Sequence, residues 1–280
     1  MTFCNRISPS KSSVIEECLW KYNLKYNLKI PGFGNKNEDA LQFGSFIHKV
    51  FEVAIKENRT DLLKIAESLK KAYHVTSKEN TRIQSCISNF SLWNKNLGDT
   101  LFTEGEVEVF LDKVADIKSV GVIDRIVKGS KGGFLVIDYK TSKREKKKAE
   151  LLNDPQLKSY TYAVHEIHKV EYKDIHCGHF YPLSGNFVTV QFNAAQIAMW
   201  RRKEIDKVWR IRKKTKNDFP PQKNIYCGNC EFQQACTLFC TKEDVEKRID
   251  EQIKLRDQLI TEKKNLNENS TKNKDNRNKN

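Results

Sequence analysis

The sequence has no feature of a membrane or secreted protein. No apolar run approaches the ~20 residues that a bilayer-spanning helix needs. The opening segment, MTFCNRISPSKSS, is polar and lacks the apolar core of a secretory signal, so we expect an intracellular protein. There is no internal repeat, and the absence of a G-x-x-x-x-G-K-S/T motif excludes a P-loop nucleotide site.

Acidic residues are fewer than basic residues. The chain has 36 Asp and Glu against 50 Lys and Arg, a formal net charge of +14 and a pI near 9.3. This surplus favours a polyanionic partner, either nucleic acid or an acidic membrane surface, and charge alone does not choose between them. With 280 residues, 38% of them hydrophobic, the chain can bury one sizeable core.

The order of patterns along the chain predicts an α/β protein. Apolar residues at helical spacing are followed by alternating, strand-like stretches and then by a basic helix, a group of cysteines and a low-complexity end. We expect one domain over residues 1–242. Its parts are a helical part (8–95), a β-rich core (104–192), a basic helix (194–216) and a cysteine cluster (227–240), followed by a helix (243–266) and a disordered tail (267–280).

Two apolar stretches, 119–127 and 134–140, are separated by a Gly-rich segment and predict a β-hairpin. A turn centred near Ser130–Lys131 would place Asp124 opposite Ile137 or Asp138, with Cβ atoms only ~5 Å apart. Two carboxylates at that distance repel each other unless a divalent cation lies between them, and Mg²⁺ suits such a site. Lys140 shares a strand face with Asp138 and would point into the same place.

A plainer interpretation remains open for this hairpin. The tripeptide D-x-K is common by chance, and Asp124 could pair with Arg125 or Lys140 as surface charges at the strand ends. The second aspartate on the adjacent strand favours the metal site.

Five segments together resemble the PD-(D/E)XK nuclease superfamily, in particular its RecB-like branch with an iron–sulfur cluster, which includes CRISPR adaptation nucleases and phage exonucleases. GVIDRIV and FLVIDYKTSK resemble the catalytic core. FGSFIHKVFE resembles an upstream helical motif, QLKSY a downstream Q-x-x-x-Y motif, and ISPSKSSVIEECLWKYNLKY the first helix. The resemblance covers most of the chain and implies a restriction-endonuclease-like core, in which helices flank a mixed central sheet.

The resemblance also implies a ligand set for Mg²⁺ or Mn²⁺. His48, Asp124 and Asp138 would bind the metal, with the backbone carbonyl of Tyr139 as a further ligand. Glu108, on the strand before the hairpin, would be an outer-sphere or second-metal ligand. Taken by itself, a histidine among apolar helix residues, such as His48, is more often a core residue.

Other residues would assist the reaction. Lys140 would help the water nucleophile. Gln156 and Tyr160 lie four residues apart, on one helical face, and would contact DNA or brace the site. Lys143 and Arg144 belong to the basic run KTSKREKKKAE directly after the metal site, which suits a DNA track, although such runs are also ordinary solvated surfaces. We interpret His176 and His179, beside Cys177, as structural.

The cysteines allow two assignments. Cys227, Cys230, Cys236 and Cys240 could together bind Zn²⁺ or an iron–sulfur cluster, because C-x-x-C is a common metal-ligand spacing. Alternatively, the first three join the distant Cys18 around a 4Fe–4S cluster, as in the iron–sulfur nucleases that the chain resembles. We favour Cys18, with Cys240 or Cys4 as the substitute.

The resemblance implies a metal-dependent deoxyribonuclease, an exonuclease acting on single strands or DNA ends in recombination, repair, phage replication or CRISPR adaptation. We expect it in the bacterial cytoplasm, encoded by the bacterium or a phage. A helicase, recombination or CRISPR protein would be its partner, because the chain lacks a P-loop of its own. The alternatives are a non-catalytic DNA-binding subunit and a site-specific endonuclease. The second is weakened because we see no separate target-recognition domain.

Overall fold

The structure is a computed structural model that describes residues 4–34, 38–129, 132–215 and 218–277, with residues 266–277 described by their backbone alone. The chain divides into two compact units. The sheet unit comprises Phe3–Ser12 and Asn37–Arg212. The cysteine unit comprises Met1–Thr2, Ser13–Lys36 and Lys213–Asn280.

The described residues form helices and strands in the order that the sequence patterns predicted. The strands are β1 (Arg6–Ile7), β2 (Asp99–Asp112), β3 (Ile117–Lys128), β4 (Phe134–Tyr139), β5 (Ile175–Tyr181) and β6 (Asn186–Val190). The α-helices are α1 (Pro9–Glu17), α2 (Leu19–Tyr22), α3 (Glu38–Lys56), α4 (Leu62–Leu69), α5 (Asn80–Asn94), α6 (Lys148–Leu151), α7 (Pro155–His168), α8 (Ala194–Arg212) and α9 (Lys242–Arg277).

The strands form one six-stranded mixed sheet. Its order is β1-β3-β4-β5-β6, and β2 pairs with β3 outside that path. The pairs β1–β3 and β4–β5 are parallel, and the remaining pairs are antiparallel. Helices α3 and α7 both contact strands of this sheet. The predicted fold class, a mixed sheet flanked by helices, is confirmed.

The predicted hairpin is β3–β4, and its antiparallel register pairs Arg125 with Ile137 and Ile126 with Val136. The predicted turn centre, Ser130–Lys131, lies outside the described residues. Around it, the N–H of Gly129 donates to the Gly133 carbonyl at 2.8 Å, and Gly132 has a φ of +87°. A side chain is disfavoured at that backbone angle, which explains the glycine.

The main core of the sheet unit lies between α3, α4, α5 and the strands β3 to β5. Apolar residues of α3 recur three and four positions apart, which gives one buried stripe along the helix. That stripe comprises Phe43, Phe46, Ile47, Val50, Phe51 and Ala54. Phe51 stacks on Phe90 with ring centroids 3.9 Å apart, and both rings lie edge-on to Tyr139 of β4. This packing fixes α3 against the end of the hairpin.

The cysteine unit contains a core cluster of its own, formed by Leu24, Ile30, Phe232 and Ala235. Trp20 packs against this core and donates its indole N–H to the Ala235 carbonyl at 2.7 Å. Helix α9 continues to Arg277, past Leu266, where the sequence analysis ended the helix and began a disordered tail. Of that predicted tail, residues 278–280 lie outside the described residues.

Candidate functional site

Helix α3 brings His48 to the end of the hairpin. The close approach depends on Gly44, because a Cβ at that position would lie 3.3 Å from the Thr141 hydroxyl oxygen. The Nε2 atom of His48 donates to the Tyr139 carbonyl oxygen at 2.9 Å. The Nδ1 atom lies 3.5 Å from a carboxylate oxygen of Glu104 and 3.5 Å from one of Asp124.

Glu104, His48 and Asp124 form a group whose ligand atoms all lie within 4.8 Å of one another. In the β2–β3 register, Thr103 pairs with Arg125 and Gly105 pairs with Ile123. Glu104 therefore lies opposite Asp124 on the neighbouring strand. Oε1 of Glu104 is buried and has no hydrogen-bond partner among the described residues. Buried polar atoms are almost always satisfied, so this oxygen suits a ligand to a cation. Two carboxylates and an imidazole are a donor set that divalent metals accept.

Glu108, the glutamate that the sequence analysis assigned to this site, is not brought to it. Its carboxylate forms ion pairs with Arg6 and, at 2.7 Å, with Lys118. Glu108 lies four residues along β2 from Glu104, which is ~13 Å at the ordinary rise of a strand. Glu104, four residues earlier on the same strand, is the glutamate that lies with His48 and Asp124.

Asp124 is held from two sides. Its Oδ2 accepts the backbone N–H of Tyr139 at 2.6 Å, and its Oδ1 faces His48. Burial and the nearby charge of Asp138 raise the pKa of Asp124. Burial opposes protonation of His48, but the charges and hydrogen bonds of Asp124, Glu104 and Asp138 together outweigh it and raise the pKa of His48 to about 10. His48 is therefore protonated near neutral pH in the metal-free protein, and binding a cation there would release the proton.

Asp138 and Lys140 form an ion pair beside this group. Lys140 Nζ lies 2.6 Å from Oδ2 of Asp138 and donates to Oε1 of Gln156 at 3.0 Å. Burial lowers the pKa of Lys140, but the charge and hydrogen bond of Asp138, together with the charges of Asp124 and Asp154, outweigh it, so that the pKa is raised. The ammonium group is thus held charged, between a carboxylate and an amide.

Helix α7 supports Lys140 through Gln156, whose amide oxygen accepts from the ammonium group. Its first turn is capped by Asp154, which accepts the backbone N–H groups of Gln156 and Leu157. The Gln156 amide donates to the Tyr160 hydroxyl at 2.8 Å, and that hydroxyl donates to the Val122 carbonyl at 2.6 Å. Gln156 and Tyr160 were expected either to contact DNA or to brace the site. These hydrogen bonds within the protein favour bracing.

An open cleft of about 400 Å³ leads to His48 and Glu104. Most of its wall comes from α3, and Tyr73 and Thr141 complete it. Lys143 and Arg144, which the sequence analysis assigned to DNA contact, are exposed after β4. Arg144 is ion-paired with Glu150.

His179 is a buried residue that the sequence analysis interpreted as structural. It lies on β5 directly beside Asp138 in the parallel register. Its Nε2 is 3.6 Å from Oδ2 of Asp138 and 3.8 Å from Oδ2 of Asp154. Burial lowers the pKa of His179, which favours the neutral imidazole. Nothing in the sequence pattern distinguishes it from His176, which is exposed on the same strand.

The cysteine unit gathers the four cysteines that we favoured. Cys18, Cys227, Cys230 and Cys236 line one cavity of about 30 Å³. The N–H of Gln222 points at the Cys18 sulfur and that of Asn224 at the Cys227 sulfur, at 3.5 and 3.3 Å. Backbone N–H groups directed at sulfur are a usual feature of iron–sulfur sites, so these residues suit such a cluster.

Cys240, the alternative ligand, does not line that cavity. Its sulfur instead accepts from the Arg248 guanidinium at 3.3 Å. Cys4, the other substitute, is buried in the sheet unit. Burial raises the pKa of the Cys230 and Cys236 thiols in the metal-free protein.

Three comparisons connect the chain with known proteins. The family model of the PD-(D/E)XK nuclease superfamily matches residues 6–237. The chain is 27% identical over 188 residues to one of the subunits of the ATP-dependent helicase/deoxyribonuclease of Streptococcus agalactiae serotype Ia, covering 60% of this chain and 17% of the relative. The same-named protein of Streptococcus mutans serotype c is 28% identical over 163 residues, covering 51% and 15%.

Among solved structures, the crystal structure of SSO0001 aligns with a TM-score of 0.43 and 17% identity, covering 86% of this chain and 90% of that chain. The chain spans less than a fifth of the length of the curated relatives it matches. In the described part of the chain, no helix combines the length and the apolar character needed to cross a membrane. From its match to the family model over residues 6–237, the chain belongs to the PD-(D/E)XK nuclease superfamily.

Proposed function

We propose that this protein is a metal-dependent deoxyribonuclease whose centre is formed by His48, Glu104, Asp124 and Asp138. The observation that carries the proposal is the convergence of His48, Glu104 and Asp124 around a buried carboxylate oxygen with no hydrogen-bond partner among the described residues. Asp138 and Lys140 lie beside that group, in the order expected for the superfamily. The streptococcal relatives are named as deoxyribonuclease subunits, which supports DNA as the substrate.

Different residues of this chain would contribute to different parts of the hydrolysis. A divalent cation, Mg²⁺ or Mn²⁺, would supply a more acidic bound water and charge stabilisation at the phosphate. His48 would bind it as a neutral imidazole after losing its proton. Lys140, held by Asp138 and Gln156, would direct its charge at the attacking water or at a phosphate oxygen. The buried surroundings would strengthen each of these interactions.

The cleft beside the centre favours an unpaired nucleotide as the bound group. Its volume of about 400 Å³ is within the ~300–1,000 Å³ of small-molecule sites, and it is open to solvent. The exposed basic residues after β4 include Lys143, and they would neutralise the following phosphates. We therefore propose an exonuclease that acts on single strands or on frayed DNA ends.

A partner protein would supply the unwinding. The relatives are named as helicase/deoxyribonuclease subunits, and this chain matches less than a fifth of their length. We propose a helicase, or another recombination or CRISPR protein, as the partner of this chain.

The cysteine cavity would hold a 4Fe–4S cluster through Cys18, Cys227, Cys230 and Cys236, with Zn²⁺ as the alternative. Its role would be to stabilise the cysteine unit, because its ligands come from two distant parts of the sequence, Cys18 and the segment 227–236. Iron, sulfide and zinc analysis of protein purified without oxygen distinguishes the two. Zinc without iron would contradict the iron–sulfur proposal.

Nuclease assays on end-labelled single-stranded and double-stranded DNA, with Mg²⁺ or Mn²⁺, test the main proposal. We expect metal-dependent cutting that is lost in Asp138→Ala and Lys140→Ala. Glu108→Gln is the matched control, because its carboxylate belongs to the Arg6 and Lys118 ion pairs. Exonuclease action would release nucleotides from the labelled end, whereas endonuclease action would also open circular DNA. Failure of the folded protein to cut any of these substrates would favour the alternative, a non-catalytic DNA-binding subunit.

A further inference from the structure

A second polar cluster lies behind the metal centre, between β4, β5 and the start of α7. Its middle member, His179, has no exposed surface and is paired with Asp138 in the β4–β5 register. The Nε2 atom of His179 has no hydrogen-bond partner among the described residues. On β5, Gly178 and Phe180 flank His179, and both Phe180 and Cys177, two residues before His179, are fully buried. A buried ring nitrogen in such a strand calls for an explanation beyond packing.

The contacts of His179 Nδ1 favour one tautomer. Nδ1 lies 3.3 Å from the Tyr181 hydroxyl oxygen. That hydroxyl accepts the backbone N–H of Lys146 at 2.8 Å, so its own proton is available for His179 Nδ1. In the neutral imidazole the ring proton is then on Nε2.

The Nε2 side faces two carboxylates at nearly equal distances. Oδ2 of Asp138 is at 3.6 Å and Oδ2 of Asp154 is at 3.8 Å. Each of these oxygens also meets a lysine ammonium, Lys140 at 2.6 Å and Lys146 at 2.7 Å. His179 is therefore the central member of a chain of five side chains, Lys140, Asp138, His179, Asp154 and Lys146, in which Asp154 caps α7.

We propose that His179 is a positioning residue for Asp138. Its Nε2–H attracts Oδ2 of Asp138 towards the interior and leaves the second carboxylate oxygen available to a divalent cation. Through Asp154 it also aligns the first turn of α7, which carries Gln156 and so supports Lys140. This inference rests on the proposed function, because it assigns Asp138 to the metal centre.

The test compares two amide substitutions in the full-length chain. The amide nitrogen of glutamine in His179→Gln reaches approximately the place of Nε2, whereas that of asparagine in His179→Asn reaches only the place of Nδ1. Mn²⁺ binding is measured directly by electron paramagnetic resonance or calorimetry, and nuclease activity is measured as a function of Mn²⁺ concentration. His176→Gln is the control, because His176 is exposed on the same strand.

We expect His179→Asn to bind Mn²⁺ ~10- to 100-fold more weakly, the usual cost of losing a partner of a metal ligand. His179→Gln should stay within about threefold of the wild type, and the control should be unchanged. Saturating Mn²⁺ should restore most of the turnover of His179→Asn, which separates a metal-positioning role from a direct role in the chemical step. His179→Leu, which also lacks a donor but suits the apolar surroundings, should repeat the loss if the asparagine variant does not fold.

Equal affinity in the wild type and in the variants without a donor would overturn the positioning role, provided that the wild type binds Mn²⁺ and cuts DNA. An equal loss in the glutamine and asparagine variants would also overturn it, because it would indicate a packing role. Failure of the wild type to bind Mn²⁺ would instead overturn the proposed function, and this inference with it.

Discussion

The two candidate metal sites of this chain are built in opposite ways. The centre of the sheet unit uses oxygen and imidazole donors from adjacent strands and one helix, and its carboxylates are buried close together. The cavity of the cysteine unit uses thiols that come from the two ends of the sequence, Cys18 and the segment 227–236. The first site lies against a core cluster built from α3, α4, α5 and β3 to β5, whereas a core cluster of the second unit is formed by Leu24, Ile30, Phe232 and Ala235.

This difference suggests different roles for the two metals. The sheet unit has a core cluster of apolar residues from three helices and three strands, and its buried carboxylates repel each other until a cation binds between them. In the cysteine unit the four thiols come from distant parts of the sequence, so the free energy of cluster binding would contribute directly to holding them together and to the folding of the unit. We therefore expect removal of the divalent cation to stop the chemistry and removal of the cluster to unfold structure.

Cys18→Ser tests that contrast with the largest expected effect. Without one of its four ligands, the iron–sulfur cluster should be absent, and the cysteine unit should lose its fold. Visible absorbance, iron and sulfide content, and proteolysis of the segments 13–36 and 213–265 measure the result. EDTA treatment of the wild type should leave the protease pattern of the sheet unit unchanged.

Cys240→Ser is the matched control, since its sulfur accepts from Arg248 and does not line the cavity. It should keep both iron and fold. Loss of iron in Cys240→Ser with retention in Cys18→Ser would reverse our assignment. It would make the cluster a local one formed by the C-terminal cysteines.

Asp124→Asn is the second prediction, and it should act on chemistry alone. The amide keeps an acceptor for the Tyr139 N–H but removes the charge that faces His48. Cutting should fall by on the order of 10³-fold, comparable with the loss of a principal electrostatic group in other active sites. Circular dichroism and thermal unfolding should show a folded protein. A variant that still cuts at the wild-type rate would remove Asp124 from the centre.

The sequence predicted the parts of this centre that depend on local rules. The β3–β4 hairpin follows from strand alternation and a Gly-rich turn, and it is confirmed. Glu104 was missed because Glu104, Glu106 and Glu108 recur at every second position of one strand. Only the register of β2 against β3 decides which of them meets Asp124. His179 was missed for a similar reason, since β5 joins β4 as a parallel neighbour through α7, and its register is set by packing.

The third prediction compares Glu104→Gln with Glu108→Gln, and it tests the register of β2 against β3. Glu104→Gln should weaken Mn²⁺ binding ~10- to 100-fold, because a neutral amide replaces a carboxylate whose Oε1 is buried without a partner among the described residues. Glu108→Gln should leave Mn²⁺ affinity within about twofold, because exposed ion pairs contribute little. Calorimetry with Mn²⁺ measures both. The opposite ranking would restore the assignment of Glu108 and would contradict the β2–β3 register.

Tyr160→Phe is the last prediction and has the smallest expected effect. The substitution removes one hydroxyl, which accepts from Gln156 and donates to the Val122 carbonyl. Losing such a bond costs about 1 kcal/mol of folding stability, and thermal or urea unfolding would detect it. Because Gln156 would keep its bond to Lys140 but lose its own support, turnover at saturating metal should fall several-fold while Mn²⁺ affinity stays unchanged. A large loss of DNA affinity with normal stability would instead make Tyr160 a substrate contact. Support of Lys140 would then rest on Gln156 and Asp138, and α7 would form part of the DNA-binding surface.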